Sequence, residues 1–265
     1  MTCLCLTLFP LQAKDVIKMQ RPLLSYDKRA KHKDEVIHSA LALSKSKFGD
    51  YDFIEVDVDM NTGRALKELQ AGKHINAFIA SADPSWDRDA KAIKIPIRLG
   101  MLSYRLLIIR KQDSDIFANI KSRKDLSRYY AGLQPHWSTT NIFTNHNLNI
   151  ILGHEFDSLF LMLRKNRFDY IPRAVYEAYD ELNQRPHLQK DIVIAPNIAL
   201  YIPSATYIYV APNEPEIYNR LNYGMTQLVD SGQLRAIFNK YYAEEFDLAD
   251  IKNRTIIKLD NPLFD

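Results

Sequence analysis

The stretch Gly153–Leu182, GHEFDSLFLMLRKNRFDYIPRAVYEAYDEL, compresses a helix, a strand and a second helix into one short run. Phe156, Leu159, Phe160 and Leu163 recur at helical spacing and give one apolar face. Lys165-Asn166-Arg167 closes that helix in charge. Phe168–Ile171 then reads as a short strand stopped by Pro172, and Arg173 falls at the strand's carboxyl end, where the next helix starts. A strand placed between two helices belongs in an α/β sheet, and in open α/β sheets ligands bind beyond the carboxyl ends of the strands. An arginine there is a placed cation, and the start of the following helix adds N–H donors beside it.

The same alternation runs through the rest of the chain. Val16–Met19 is a candidate first strand, followed by a polar loop through Tyr26, Asp27 and His32. Lys33–Lys47 is predicted helical, with Val36, Ile37, Ala40, Leu41 and Ser44 on its inner face. Tyr51–Val58 alternates as a second strand. Asn61-Thr62 caps a helix over Gly63–Ala71 that Gly72 stops, and Ile75–Ala80 is a third strand. This βαβαβ order implies parallel strands with right-handed crossovers. Ser81–Arg88 is read as a loop, Ile93–Ile97 as a short strand and Tyr104–Arg110 as a longer one.

A second α/β unit begins near Gln112. Ser122–Asp125 is a capping box, Tyr130–Leu133 a strand, and Pro135–Thr140 the loop after it. Asp191–Ala195, Ala199–Ile202 and Tyr207–Val210 are further strands. Glu214–Ser231 is a helix stopped by Gly232, Gln233–Ala243 another helix, and Thr255–Leu259 a possible last strand. Two α/β units joined by two strands, with a helical return, imply a first lobe of 14–104 and 207–265, a second lobe of 105–206, and a cleft closed by hinge motion.

Composition removes several alternatives. The 265 residues, 46% of them hydrophobic, suffice for two cores, and a formal net charge of +3 with no basic block gives no case for nucleic acid. Met1–Ala13 carries no charge and ends in Leu11-Gln12-Ala13, like a small-residue cleavage site, so 1–13 is read as a signal peptide remnant that lacks its basic region. The alternative is a buried first strand. Both cysteines, Cys3 and Cys5, lie in that segment, so a mature chain has none and no disulfide framework. The seven histidines form no zinc-type pair. Neither a P-loop nor Gly-x-Gly-x-x-Gly nor Gly-x-Ser-x-Gly occurs. The expectation is therefore no metal, no cofactor and no enzyme activity.

Four motifs in order carry a resemblance. Asn76–Arg88 fits, without a gap, a strand running into a Gly-x-Thr-x-Thr-x-Glu-Arg loop. Lys124-Asp125-Leu126 with Ala131-Gly132-Leu133 matches Asp-Leu-x-Gly-x-x-Val-Gly-Val. Asn166–Tyr170 matches Gly-Arg-x-Asp-Ala, and Asp230–Leu234 matches Asp-Gly-Thr-Leu. Over nearly the whole mature chain the sequence resembles the bacterial family 3 periplasmic solute-binding proteins of amino-acid ABC transporters. In particular it resembles a divergent branch with Arg-Phe-Asp-Tyr-x-Pro-Arg, here Arg167–Arg173, and Asn-Pro-Leu, here Asn261–Leu263.

The resemblance implies a two-lobed, type II periplasmic-binding-protein-like α/β fold and a periplasmic, monomeric protein. Such a protein hands a small anionic or zwitterionic ligand to an ABC permease, or reports it to a membrane sensor. Arg88 matches the arginine that holds a ligand carboxylate. The acidic residue that holds an α-amino group is replaced by Ala174, beside Arg173. Asp83 stands at the assisting threonine, and His136-Trp137-Ser138-Thr139 replaces the Ser/Gly-rich loop of the second lobe. Lys31–Glu35 stands where Gly-Phe-Asp-x-Asp is usual.

The expected ligand residues are Arg88, Arg173, Trp137, Ser138, Thr139, Asp83, Ser81, Tyr26 and Tyr104. Ser138 is a candidate cap of the helix after it. Arg173 has a purely structural alternative, a pair with Glu177 one turn on. The remaining functional alternatives are a cyclohexadienyl dehydratase-like enzyme and a cleft without a ligand.

Overall fold

The computed structural model describes residues 14–21, 28–58, 60–262 and 264. The expected signal segment and Tyr26 lie outside them, as does Leu263 of the Asn-Pro-Leu motif. In chain order the strands and α-helices begin with β1 (Asp15–Gln20), α1 (Lys28–Phe48), β2 (Tyr51–Val56), α2 (Thr62–Ala71), β3 (Ala77–Ser81), α3 (Pro84–Asp89) and β4 (Lys91–Ile93). Next come β5 (Tyr104–Arg110), α4 (Ser114–Ala118), α5 (Arg123–Leu126), β6 (Tyr130–Leu133), α6 (Ser138–Asn145) and β7 (Asn149–Leu152). They are followed by α7 (Phe156–Arg164), β8 (Tyr170–Ala174), α8 (Val175–Asn183), β9 (Ile192–Ile194) and β10 (Ile198–Tyr201). The chain closes with β11 (Thr206–Val210), α9 (Pro215–Asp230), α10 (Gln233–Ala249) and β12 (Thr255–Lys258).

The chain divides into two compact units. The first holds residues up to Ile79, Trp86–Ile93 and Ile208–Ser231; the second holds Ala80–Ser85, Lys94–Tyr207 and Gly232 onward.

In the first unit β1 and β2 run parallel in register from Asp15 opposite Tyr51, and buried Asn76 joins β1 by accepting from the Lys18 amide and donating to the Val16 carbonyl. The inner face expected of α1 is buried as read, Val36, Ile37, Ala40, Leu41 and Ser44 included. The helix begins five residues earlier than its periodicity suggests. Asn61 accepts from the Arg64 amide and Gly72 closes α2 at φ 63°, as their residue types require. Gly224 of α9 lies on the backbone of α1: a Cβ there would stand 2.0 Å from the Ala40 carbonyl oxygen. The Ser81–Arg88 loop is in part helical, since Asp83 caps α3 by accepting from the Ser85 amide at 2.8 Å.

In the second unit seven strands among the described residues form one mixed sheet, ordered β12-β10-β5-β8-β6-β7, with β9 paired to β5. β6 is parallel to β7 and β8, while β5 is antiparallel to β8, β9 and β10. The apolar residues of β5 point alternately into two cores, Leu107 and Ile109 on one side and Leu106 and Ile108 on the other.

One reading changes here. β8 does not stop at Pro172 but runs through Arg173 to Ala174. Its pairing with β6 is confined to Ala131 opposite Tyr170, so the N–H that proline lacks falls where no β6 partner follows. The helix and strand over Ser138–Leu152 carry no clear period, and local pattern bounds neither. Residues from Gly232 group with the second unit, where β12 pairs in parallel with β10 and Tyr242 of α10 packs 5.0 Å from Tyr176 of α8; the lobe boundary expected from sequence is a separate division.

Candidate functional site

Two parallel neighbours, β6 and β8, bring their carboxyl ends together, and a residue past β6 meets one near the end of β8. Trp137, past the end of β6, lies with its ring 4.3 Å from the Arg173 guanidinium, and Phe156 lies 5.4 Å from it. Arg173 is only 9% exposed. Its Nε donates to both Glu181 oxygens at 2.9 Å, and a terminal nitrogen lies 3.1 Å from Glu177. Glu177 and Glu181 are four and eight positions on, so one face of α8 presents both to it. Glu177 also accepts the Ala174 amide at 3.1 Å, which closes the start of α8 in the manner of half a capping box.

Two further arginines join this group. Arg105, opposite Ala174 in the β5–β8 register, has Glu177 at 3.7 Å. Arg98 donates to the Thr206 hydroxyl at 3.2 Å and stands over the Tyr176 ring at 5.4 Å. Burial works against the charge on Arg173, but Glu177 and Glu181 more than offset it and hold the guanidinium charged. Burial pulls Arg105 below the ordinary arginine value, with Glu177 opposing. It pushes the Glu181 carboxyl up, with Arg173 opposing, and the Tyr176 phenol up to about 12. Tyr176 is therefore a neutral donor at physiological pH.

The expected residues fall into distinct places. Arg173 and Trp137 touch. Ser138 and Thr139 open α6 directly after Trp137, Ser138 exposed and Thr139 buried. Ser138 is not the cap: Trp137 takes that position with extended backbone, and the Thr140 hydroxyl ties the turn by donating to the Gln134 carbonyl at 2.8 Å. The structural alternative for Arg173 is present, with Glu181 as a stronger partner than Glu177. Arg173 is thus a paired cation.

Tyr104 is half-buried at the start of β5 with its ring 5.1 Å from Tyr201. Ser81 ends β3 exposed, and Asp83 is engaged as the α3 cap. Arg88 belongs to the first unit, has a 71% exposed side chain, and donates to its neighbour Asp89 at 2.7 and 2.8 Å. Trp86 is buried between Phe78 and Tyr209 and pins its loop.

Arg98, Arg105, Tyr176 and Glu181 stand outside the set expected from sequence. A signal existed for Arg105, a charge inside the otherwise apolar start of Tyr104–Ile109, and for Glu181, on the Arg173 face of a predicted helix. Among the described residues no group of His, Cys, Asp or Glu could hold a metal ion, and no helix is long and apolar enough to cross a membrane.

No family model matches the chain, and no curated protein matches it by sequence. Solved structures do. The VFT2 domain of BvgS from Bordetella pertussis aligns with a TM-score of 0.59 at 14% identity, over 86% of this chain and 91% of that one. The GluR0 ligand-binding core from Nostoc punctiforme, in complex with L-glutamate, aligns at 0.54 and 13%, over 86% and 98%. The substrate binding protein of an amino acid ABC transporter aligns at 0.53 and 17%, over 86% and 99%. Identities this low carry the fold and not the ligand. The chain therefore has the α/β fold of the type II periplasmic-binding proteins.

Proposed function

We propose that the chain is a periplasmic solute-binding protein. It captures a small anionic or zwitterionic ligand, amino-acid-like or a carboxylate, for an ABC transporter, binds without chemistry, and works as a monomer. The observation that carries this reading is the meeting of Trp137 and Arg173, with Arg105 opposite the last residue of β8, at the carboxyl ends of two parallel strands. That is where α/β sheets hold ligands. Three guanidiniums there favour an acidic group, and Trp137 offers a flat wall for the rest of the molecule. Ser138 and Thr139 at the start of α6 add hydroxyl and amide donors. The shared fold with amino-acid-binding structures supports the same reading. Ser81, Asp83, Arg88, Tyr104 and Tyr26 complete the proposed ligand set on the strength of the sequence resemblance.

The TM-score of 0.59 to the BvgS VFT2 domain supports a second reading, in which the same ligand-binding module serves a membrane signalling partner. Binding is tested by calorimetric titration of the full chain with amino acids, dicarboxylates, keto acids and sugars. One-to-one binding of an acid or zwitterion is expected, and binding of sugars alone would overturn the anionic assignment. Co-purification with a permease, or with a membrane receptor, separates the two roles.

A further inference from the structure

Arg105 is a buried cation that the fold leaves short of acceptors. Arg105 is 7% exposed, and its Nε is buried with no acceptor. Its carboxylate neighbour Glu177, at 3.7 Å, already lies 3.1 Å from Arg173 and accepts the Ala174 amide. Arg98 is 4% exposed and its Nε likewise lacks an acceptor, but a terminal nitrogen reaches the Thr206 hydroxyl, and the Tyr176 and Tyr242 phenols and Glu177 hold it charged against burial. Glu181 is committed to Arg173 through both oxygens. Around Tyr176, among the described residues, three guanidiniums, Arg98, Arg105 and Arg173, thus meet two carboxylates, Glu177 and Glu181. A guanidinium does not discharge by losing its proton, and a buried charge without a partner is costly. Arg105 stands opposite Ala174, the residue from which α8 starts, in the β5–β8 register.

We propose that a single carboxylate group of the bound ligand sits against the Arg105 guanidinium at the start of α8, within reach of Arg98, and brings this cluster to neutrality. One uncompensated positive charge calls for one negative charge, so the cluster takes a carboxylate in preference to a phosphate dianion. The planar guanidinium fork matches a carboxylate in two parallel hydrogen bonds. Arg173 is then a positioning residue: it holds Glu177 and Glu181, and through Trp137 the start of α6, but does not read the acid itself. This subsite rests on the ligand-binding reading above and narrows it, because it fixes which group of the ligand the second unit recognises and which side chains do so.

The test is calorimetric and thermal titration of the full chain with acetate, succinate, L-glutamate, a neutral sugar and inorganic phosphate, for the natural protein and for Arg105→Gln. Carboxylates are expected to raise the unfolding midpoint of the natural protein more than phosphate does. Arg105→Gln should weaken their binding at least about tenfold, as expected for loss of a charge-assisted bidentate contact. In carboxylate-free buffer Arg105→Gln should be no less stable than the natural protein, because it removes the excess charge.

If carboxylates bind both proteins equally, the subsite is wrong and the ligand-binding reading stands. Binding of the sugar alone refutes the subsite too, and leaves a solute-binding protein of another specificity. If no probe binds, both fall. An Arg105→Gln chain that is much less stable while keeping full carboxylate affinity marks Arg105 as structural and overturns the proposal. Should that variant fail to fold, Arg105→Lys keeps the charge and loses the fork. Carboxylate binding several-fold weaker than in the natural protein is then expected, and unchanged affinity refutes the assignment.

Discussion

Both units bury arginine, and Arg220 of the first and Arg105 of the second are treated in opposite ways. In the first unit Arg220 is 1% exposed and fully used. Its Nε binds Asp15 at 2.6 Å, and its terminal nitrogens reach the Ser44 hydroxyl and the carbonyls of Phe48, Gly49 and Asp50 at 2.7 to 3.3 Å. Those carbonyls close α1 and the turn after it, so one guanidinium fastens β1, the end of α1 and α9 together and complements the negative end of the α1 dipole. In the second unit Arg105 is buried almost as deeply, yet it shares one carboxylate at 3.7 Å and keeps a bare Nε. Depth of burial alone therefore does not tell how completely a guanidinium is hydrogen-bonded.

The largest expected effect tests the structural half of this contrast. Arg220→Met should cost about 3–5 kcal/mol in urea unfolding, because Asp15 and a set of carbonyls lose their donor in the core. A loss under about 1 kcal/mol would break the contrast. Arg173→Met comes next, at about 3 kcal/mol near neutral pH, because it leaves Glu181 buried without its partner.

That loss has a pH signature. Burial already raises the Glu181 carboxyl in the folded chain, and removing Arg173 raises it further. An acid raised on folding holds its proton longer in the folded state. The stability of Arg173→Met should therefore fall as pH rises above about 4.3, the unfolded glutamate value, through the raised folded value. Unfolding midpoints at acid and neutral pH should show a smaller defect in acid, and Glu181→Gln on top of Arg173→Met should flatten the difference. A defect that grows in acid would refute the paired state of Arg173.

Three smaller effects sharpen the picture. Gly224→Ala should cost about 1–3 kcal/mol by forcing α9 off the backbone of α1, since Ala40 offers no side chain that could yield. Trp137→Leu keeps an apolar side chain but loses the stack on Arg173, about 1 kcal/mol, and should weaken ligand binding as well. Arg88→Ala should leave the unfolding midpoint within error, because its side chain is 71% exposed and bonds to its own neighbour. It should nevertheless weaken ligand binding if Arg88 plays the role that the motif implies; unchanged affinity removes it from the ligand set.

Where a local rule applied, the element was legible. The apolar faces of α1 and α7 follow the helical period. Asn61, Gly72, Ser122 and Gly232 act where capping and left-handed backbone call for them. β5, β10 and β12 stand close to where the apolar runs lie. The departures share a cause. Pro172 reads locally as a stop, although a proline is accepted in a strand where the pairing to the neighbouring strand has already stopped, and only the tertiary pairing shows that. The bounds of α6 and β7 are illegible because Ser138–Asn145 and Asn149–Leu152 carry mixed residues on half-covered surfaces.

The arginines mark the limit most sharply. Local pattern was enough to place Arg173 at the carboxyl end of a strand and to fix the α/β class, because period, caps and turns act over a few residues. Whether a guanidinium is spent or available depends on partners far away in the chain. Arg220 meets Asp15 across 205 positions, and Arg98 meets Thr206 across 108. Charge pairing acts through distance in space, and only the packed sheets set those distances. Tertiary structure therefore decided that Arg173 is paired with Glu181, and that Arg105 is buried with its hydrogen bonding incomplete.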